Sequence, residues 1–144
     1  IINQNKYNIF DRTVERNGLK DTAKHLGKGL ITFCPLAQGL LTDRYLNGIP
    51  ADSRVAHDPR FLHADDVTRV HGQIMALNEI AKQRGQTLAE MSLAWLLHDE
   101  RVSSVIVGAS SVEQLADNLR ALESPGFSDE ELRRIDDLSA GAGR

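Results

Sequence analysis

The 144-residue chain contains one cysteine, Cys34. A lone thiol excludes an internal disulfide framework and any Cys-rich metal centre, and it fits a reducing cytoplasm. Long apolar runs are missing as well. None approaches the roughly 18 consecutive residues that a membrane span needs, and no signal-peptide pattern is visible. Charge of one sign is also lacking, because 17 Lys and Arg stand against 20 Asp and Glu for a net charge of −3 and a pI near 5.9. That balance offers no electrostatic case for nucleic acid or an anionic membrane. The five histidines, at 25, 57, 63, 71 and 98, show no metal-ligand spacing. His71 sits near an apolar stripe and reads as a packing residue. There is no internal repeat and no low-complexity segment.

What remains is ordinary for a folded domain: 41% hydrophobic and 26% charged residues, enough to bury a core. The chain opens on Ile-Ile-Asn-Gln, already strand-like at residues 1–4, and reads as though cut from something longer. Leu19, Ala23 and Leu26 are spaced for a helix within 12–29, with Gly27 and Gly29 as stop signals. Residues 30–33 (LITF) form a second apolar strand, ended by Pro35, which cannot donate to a ladder. A long irregular stretch from 36 to 64 follows, of a length that is usually functional or disordered.

Val67, Val70, Ile74, Leu77 and Ala81 alternate spacings of 3 and 4, which predicts an amphipathic helix over 65–85 with Gly85 as its C-cap. Residues 87–100 open on the capping box Thr87/Glu90 and are apolar on most sides, so they predict a buried helix. A third strand is expected over 102–108, a helix over 111–122, and a last helix over 128–139 behind the capping box Ser128/Glu131. Strands alternating with helices imply a parallel sheet joined by crossovers and covered by helices on both faces. Three strands are too few for a whole β/α barrel. The expected fold is therefore α/β, the C-terminal portion of a (β/α)8 TIM barrel, about its last three βα units, forming one domain over 1–144.

Ligands in such folds bind at the carboxyl ends of the strands. The third end reads GASSVEQ, where Ser111/Gln114, or Ser110/Glu113 one residue earlier, can cap the helix. Free amides behind small residues make an anion site, or merely a tight turn; the stretch alone leaves both open. Phe33 at the second end reads as core, and Cys34 as an inert small residue, because no base partners it in sequence. Arg44, Arg54 and Arg60 in the long loop are either phosphate clamps or solvated side chains.

Taken together, FCPLAQGLLTDRYLNGIPADSR and SLAWLL…VSSVIVGASSVEQLADN resemble the C-terminal part of an aldo-keto reductase, across nearly all of the chain. The likeness is strongest to the branch of bacterial L-glyceraldehyde 3-phosphate reductase-like proteins and voltage-gated potassium channel β-subunits. It implies a barrel binding extended NADP(H) across its C-terminal face, in an enzyme that reduces aldehydes or ketones by hydride transfer. Carried onto this sequence, Gln4 meets the nicotinamide carboxamide and Phe33 stacks on its ring, which reverses the reading of Phe33 as core. The segment Cys34, Pro35, Leu36, Ala37 and Gln38 runs along ribose and pyrophosphate. Arg44 and Arg54 belong to a loop over the phosphates, Gly108 and Ser110 meet the adenosine phosphate, and Gln114, Asp117 and Asn118 the adenine end.

Two positions depart from the family pattern. Asp117 stands where Glu is usual, and Cys34 where a hydroxyl residue is common, so a weaker donor replaces a stronger one. The family's catalytic Asp, Tyr, Lys and His match nothing here, and Tyr7 and the histidines do not substitute for them. The implied partners are a small carbonyl substrate and, in a homo-oligomer, further copies of the chain. The alternative is a nucleotide-sensing subunit of the channel type, with slow or no turnover.

Overall fold

A computed structural model describes residues 2–57 and 62–140. In chain order it contains β1 (Ile2–Lys6), α1 (Thr13–Arg16), α2 (Leu19–His25), β2 (Gly29–Phe33), α3 (Arg54–His57), α4 (Ala64–Gln83), α5 (Leu88–Leu97), β3 (Val102–Val105), α6 (Val112–Leu119) and α7 (Asp129–Ser139). The strands form one parallel sheet in the order β1-β2-β3. Helical crossovers between parallel neighbours account for that order.

The helices begin where capping chemistry places them. The Thr87 hydroxyl accepts from the Glu90 amide at 3.1 Å and the Glu90 carboxylate accepts from the Thr87 amide at 2.8 Å. Ser128 and Glu131 repeat the exchange at 3.2 and 2.7 Å. All five positions of the predicted α4 stripe are buried, and Gly85 ends the helix in the left-handed region at φ 69°. The core gathers these residues with Leu88, Met91, Trp95 and Leu96 of α5 and Ile135 of α7. Arg84 fastens the approach to α7: its guanidinium lies 3.7 Å from the Phe127 ring centroid, bonds Glu131 at 2.8 Å and donates to the Pro125 carbonyl at 2.7 Å.

Four expectations are corrected. The helix expected within 12–29 is two helices, broken at Gly18, whose φ of 74° no helix interior accommodates. Leu26 falls past the end of α2 and is 59% exposed. The third strand stops at Val105, because β2, its neighbour, ends at Phe33 and leaves only the Ile106 amide a partner, the Thr32 carbonyl at 2.8 Å. The long loop carries structure of its own, with 3-10 turns at Ala37–Gly39 and Asp43–Tyr45 and the short helix α3.

The sheet is also covered on one face only. Leu30 and Thr32 of β2 point into the helices and are fully buried, whereas β1 is exposed along most of its length. In a parallel pair, register partners face the same way. Gln4 opposite Ile31 and Lys6 opposite Phe33 therefore share the open face.

Candidate functional site

Because the three strands are parallel, their carboxyl ends lie along one edge of the sheet. The segment leaving β2 there has an unusual backbone. Cys34, Ala37 and Gln38 have φ of 53°, 48° and 59°, and they are the three non-glycine residues in the left-handed region among those described. Gly39 continues the run at 96°. Each such residue costs about 1–3 kcal/mol, persists only where surrounding contacts hold it, and tends to cluster at functional sites.

The contacts that hold this segment are visible. Leu40, Leu41 and Tyr45 anchor its far end in the core. The Ala37 amide donates to the Cys34 carbonyl at 3.1 Å, and the Gly39 and Leu41 amides both donate to the Leu36 carbonyl at 2.9 and 3.2 Å. Across the edge, the Asn8 side-chain amide donates to the same Cys34 carbonyl at 2.9 Å. Sequence reasoning passed over Asn8, whose one signal is a polar residue inside the apolar run from Tyr7 to Phe10.

Phe33 is half-buried on the open face opposite Lys6 of β1, with exposed Gln4 two residues earlier on the same face of β1. Pro35 and Ala37 are buried, Cys34 and Leu36 half-buried, and Gln38 is exposed. Arg44 is held within the loop by the Asp52 carbonyl at 3.2 Å and its carboxylate at 3.6 Å. The Arg54 side chain and Arg60 lie outside the described residues.

At the third end, the Ser111 hydroxyl caps α6 by accepting from the Gln114 amide at 3.1 Å. The Gln114 carbonyl oxygen returns to the Ser110 amide at 2.6 Å rather than to Ser111, so the cap straddles the two boxes expected from sequence. A Cβ added at Gly108 meets nothing within 4 Å, so the space beside that glycine is open. Asp117 pairs with Arg120 at 2.7 Å, and Arg120 with Glu90 at 2.6 Å. Burial works to raise the Glu90 carboxyl, but the Thr87 amide and Arg120 hold it below its ordinary range. Asn118 differs from its neighbours: it is buried, and its amide nitrogen has no hydrogen-bond partner. A buried orphan donor is costly, so it needs an account.

A second polar cluster lies on the helix side, around a cavity of about 200 Å³. The Lys20 ammonium bonds Asp99 at 2.6 Å, the Tyr7 hydroxyl at 2.9 Å and Glu15 at 3.3 Å, and Tyr7 donates to Glu15. Burial, then Glu15, pushes the Tyr7 phenol well above its ordinary range. The cluster ties the end of β1 to α1, α2 and the turn after α5, and the Tyr7 ring packs 5.4 Å from the Trp95 ring of α5. Neither this cluster nor any other group of three or more His, Cys, Asp or Glu among the described residues is placed to hold a metal ion. His71 bonds the Leu46 carbonyl at 3.1 Å, a satisfied packing role.

Residues 1–140 match the model of the aldo/keto reductase family. The chain is 51% identical over 140 residues to an L-glyceraldehyde 3-phosphate reductase of Escherichia coli O157:H7, covering 94% of this chain and 40% of that protein. It is 38% identical over 130 residues to a probable voltage-gated potassium channel subunit beta of Oryza sativa subsp. japonica, covering 85% and 38%. Among solved structures, it superposes on a thermostable aldo-keto reductase crystallised with the inhibitor epalrestat, with a TM-score of 0.68 and 31% identity over 96% of this chain and 39% of the other. The chain thus spans about two fifths of the length of the relatives it matches.

Proposed function

The chain belongs to the aldo/keto reductase family, and on that premise we propose that its protein is an NADP(H)-dependent oxidoreductase that reduces aldehydes or ketones to alcohols, with this segment supplying the cofactor-binding half. The observation that carries the proposal is the run of left-handed residues at Cys34, Ala37 and Gln38, immediately after Phe33 on the open face. Strain held at one strand end, on the edge where α/β folds bind ligands, supports a close-fitting cofactor groove there.

The residues present fit the cofactor. Phe33 offers a half-buried ring for a flat heteroaromatic group. Gly108 leaves room beside the capped N-terminus of α6, where backbone amides favour a phosphate. The orphaned Asn118 amide suits an adenine ring nitrogen, an acceptor that would relieve it. When bound, the nicotinamide supplies the hydride. The roles of this chain are to stack and orient that ring through Phe33 and Gln4, to cradle the pyrophosphate along 34–38, and to grip the adenosine end through Gly108, Ser110, Gln114, Asp117 and Asn118, with Arg44 and Arg54 over the phosphates. The open sheet face further supports placing the chain as the last βα units of a (β/α)8 barrel, whose lumen that face would line.

The test is titration of the full-length protein with NADPH, followed by cofactor fluorescence. Phe33→Ala is expected to weaken binding roughly tenfold, through lost stacking and buried area. Absence of saturable NADPH binding in the unaltered protein contradicts the proposal. The 38% likeness to a channel β-subunit supports a second reading, nucleotide sensing with slow turnover. Aldehyde-dependent NADPH oxidation at about 1 turnover per second or faster contradicts its slow turnover.

A further inference from the structure

We infer that Asn8 is a positioning residue for the nicotinamide end of the cofactor groove, acting through the Cys34 carbonyl; the inference rests on the NADP(H) reading above. Asn8 is 1% exposed and lies in the turn after β1, while its target lies 26 residues away, just past β2. Its side-chain oxygen accepts from the Phe10 amide at 3.0 Å and the Asp11 amide at 2.8 Å. Its backbone exchanges two further bonds with Asp11, both at 3.1 Å. With the oxygen committed to two donors, the amide nitrogen must be the atom facing Cys34, so the orientation of this side chain follows from the network.

The Cys34 carbonyl receives that bond at 2.9 Å and the Ala37 amide at 3.1 Å. It belongs to a residue at φ 53°, immediately after Phe33 and before the buried Pro35. Two donors on one carbonyl fix the peptide plane that follows the left-handed residue. That plane sets the direction in which the chain leaves β2, and hence the angle at which Phe33 is presented on the open face. An Asn is suited to this task because it both accepts and donates. A carboxylate keeps the acceptor and opposes the carbonyl, and a serine is too short to span the gap. The Tyr7 amide donates to the Phe33 carbonyl at 3.4 Å, so the two strand ends are joined on both sides of the turn.

The experiment uses the full-length protein and two ligands, NADPH and 2′,5′-ADP, the second occupying only the adenosine end. Asn8→Ser keeps a local acceptor for the Asp11 amide and loses the reach to Cys34. Asn8→Asp keeps both acceptor bonds, loses the donor and sets a carboxylate oxygen against the Cys34 carbonyl, so either variant can carry the test if the other does not fold. The expected result is NADPH binding weakened about five- to twentyfold, 2′,5′-ADP binding within about twofold of the unaltered protein, and a cooperative melt. Equal weakening of both ligands assigns Asn8 a merely structural part and overturns the inference, as does no weakening of either. If the unaltered protein binds neither ligand, the cofactor reading fails and this inference falls with it. Normal wild-type binding with an unaffected variant removes only the role of Asn8.

Discussion

In the sequence Lys20 is one polar residue of a helix pattern, yet in the structure its ammonium is buried between Asp99, Tyr7 and Glu15. Burial pulls the Asp99 carboxyl upward, but hydrogen bonds from Arg101 and Lys20 outweigh it and hold the group well below the ordinary carboxylate range. A carboxyl depressed in the folded state contributes stability that is complete above its unfolded value near 3.9 and is lost as pH falls through the folded value. Asp99→Asn is therefore expected to destabilise the protein by about 2–4 kcal/mol near neutral pH, since it strips a buried cation of one partner. The gap between variant and parent should begin to narrow below about pH 4 and close only as pH falls through the depressed folded value. Urea unfolding at a series of pH values checks this, and a gap that stays constant down to pH 3 rejects it. The same scale explains why the candidate site was only partly legible. Phe33 and Asn118 are visible as residue types, but the left-handed backbone at Cys34 and the orphaned Asn118 amide are properties of place.

Elements were read best where their signals are short-range. The α4 stripe and the boxes at Thr87/Glu90 and Ser128/Glu131 depend on contacts three or four residues apart, so the sequence displays them directly. Thr87→Ala should cost about 1 kcal/mol, from the lost cap on the Glu90 amide, with no change in the denaturant slope. Chemical denaturation measures it, and an unchanged midpoint would show that Arg120 holds Glu90 without the threonine. The break at Gly18 was not legible from periodicity, because Leu19, Ala23 and Leu26 keep helical spacing whether or not a helix precedes them. The end of β3 was equally hidden. Val102–Gly108 is strand-like throughout, and only the departure of β2 at Cys34 decides where pairing stops.

At the scale of the molecule, the described residues leave both sheet edges open and an apolar stripe along α6 and the 3-10 turn that follows it, Arg120–Glu123, uncovered. Val112, Leu115, Leu119 and Leu122 are 80, 44, 56 and 68% exposed. Exposed stripes and unpaired strand edges are association surfaces. The 144-residue chain on its own is expected to self-associate at micromolar concentration, and Leu119→Lys with Leu122→Glu to shift it toward monomer. Sedimentation velocity distinguishes the species, and a monodisperse monomer of the unaltered chain contradicts the expectation. No helix among the described residues is long and apolar enough to cross a membrane.

The amino-acid sequence by itself determined the order of the three strands and of α4 to α7, the capped starts of α5 and α7 and the parallel α/β class, because periodicity and caps act within a turn or two of chain. Only the tertiary structure decided which sheet face stays open, that Lys20 and Asp99 meet, and that Asn8 reaches Cys34. Those outcomes depend on strand ends and helices far apart in sequence being brought side by side, which no local pattern encodes.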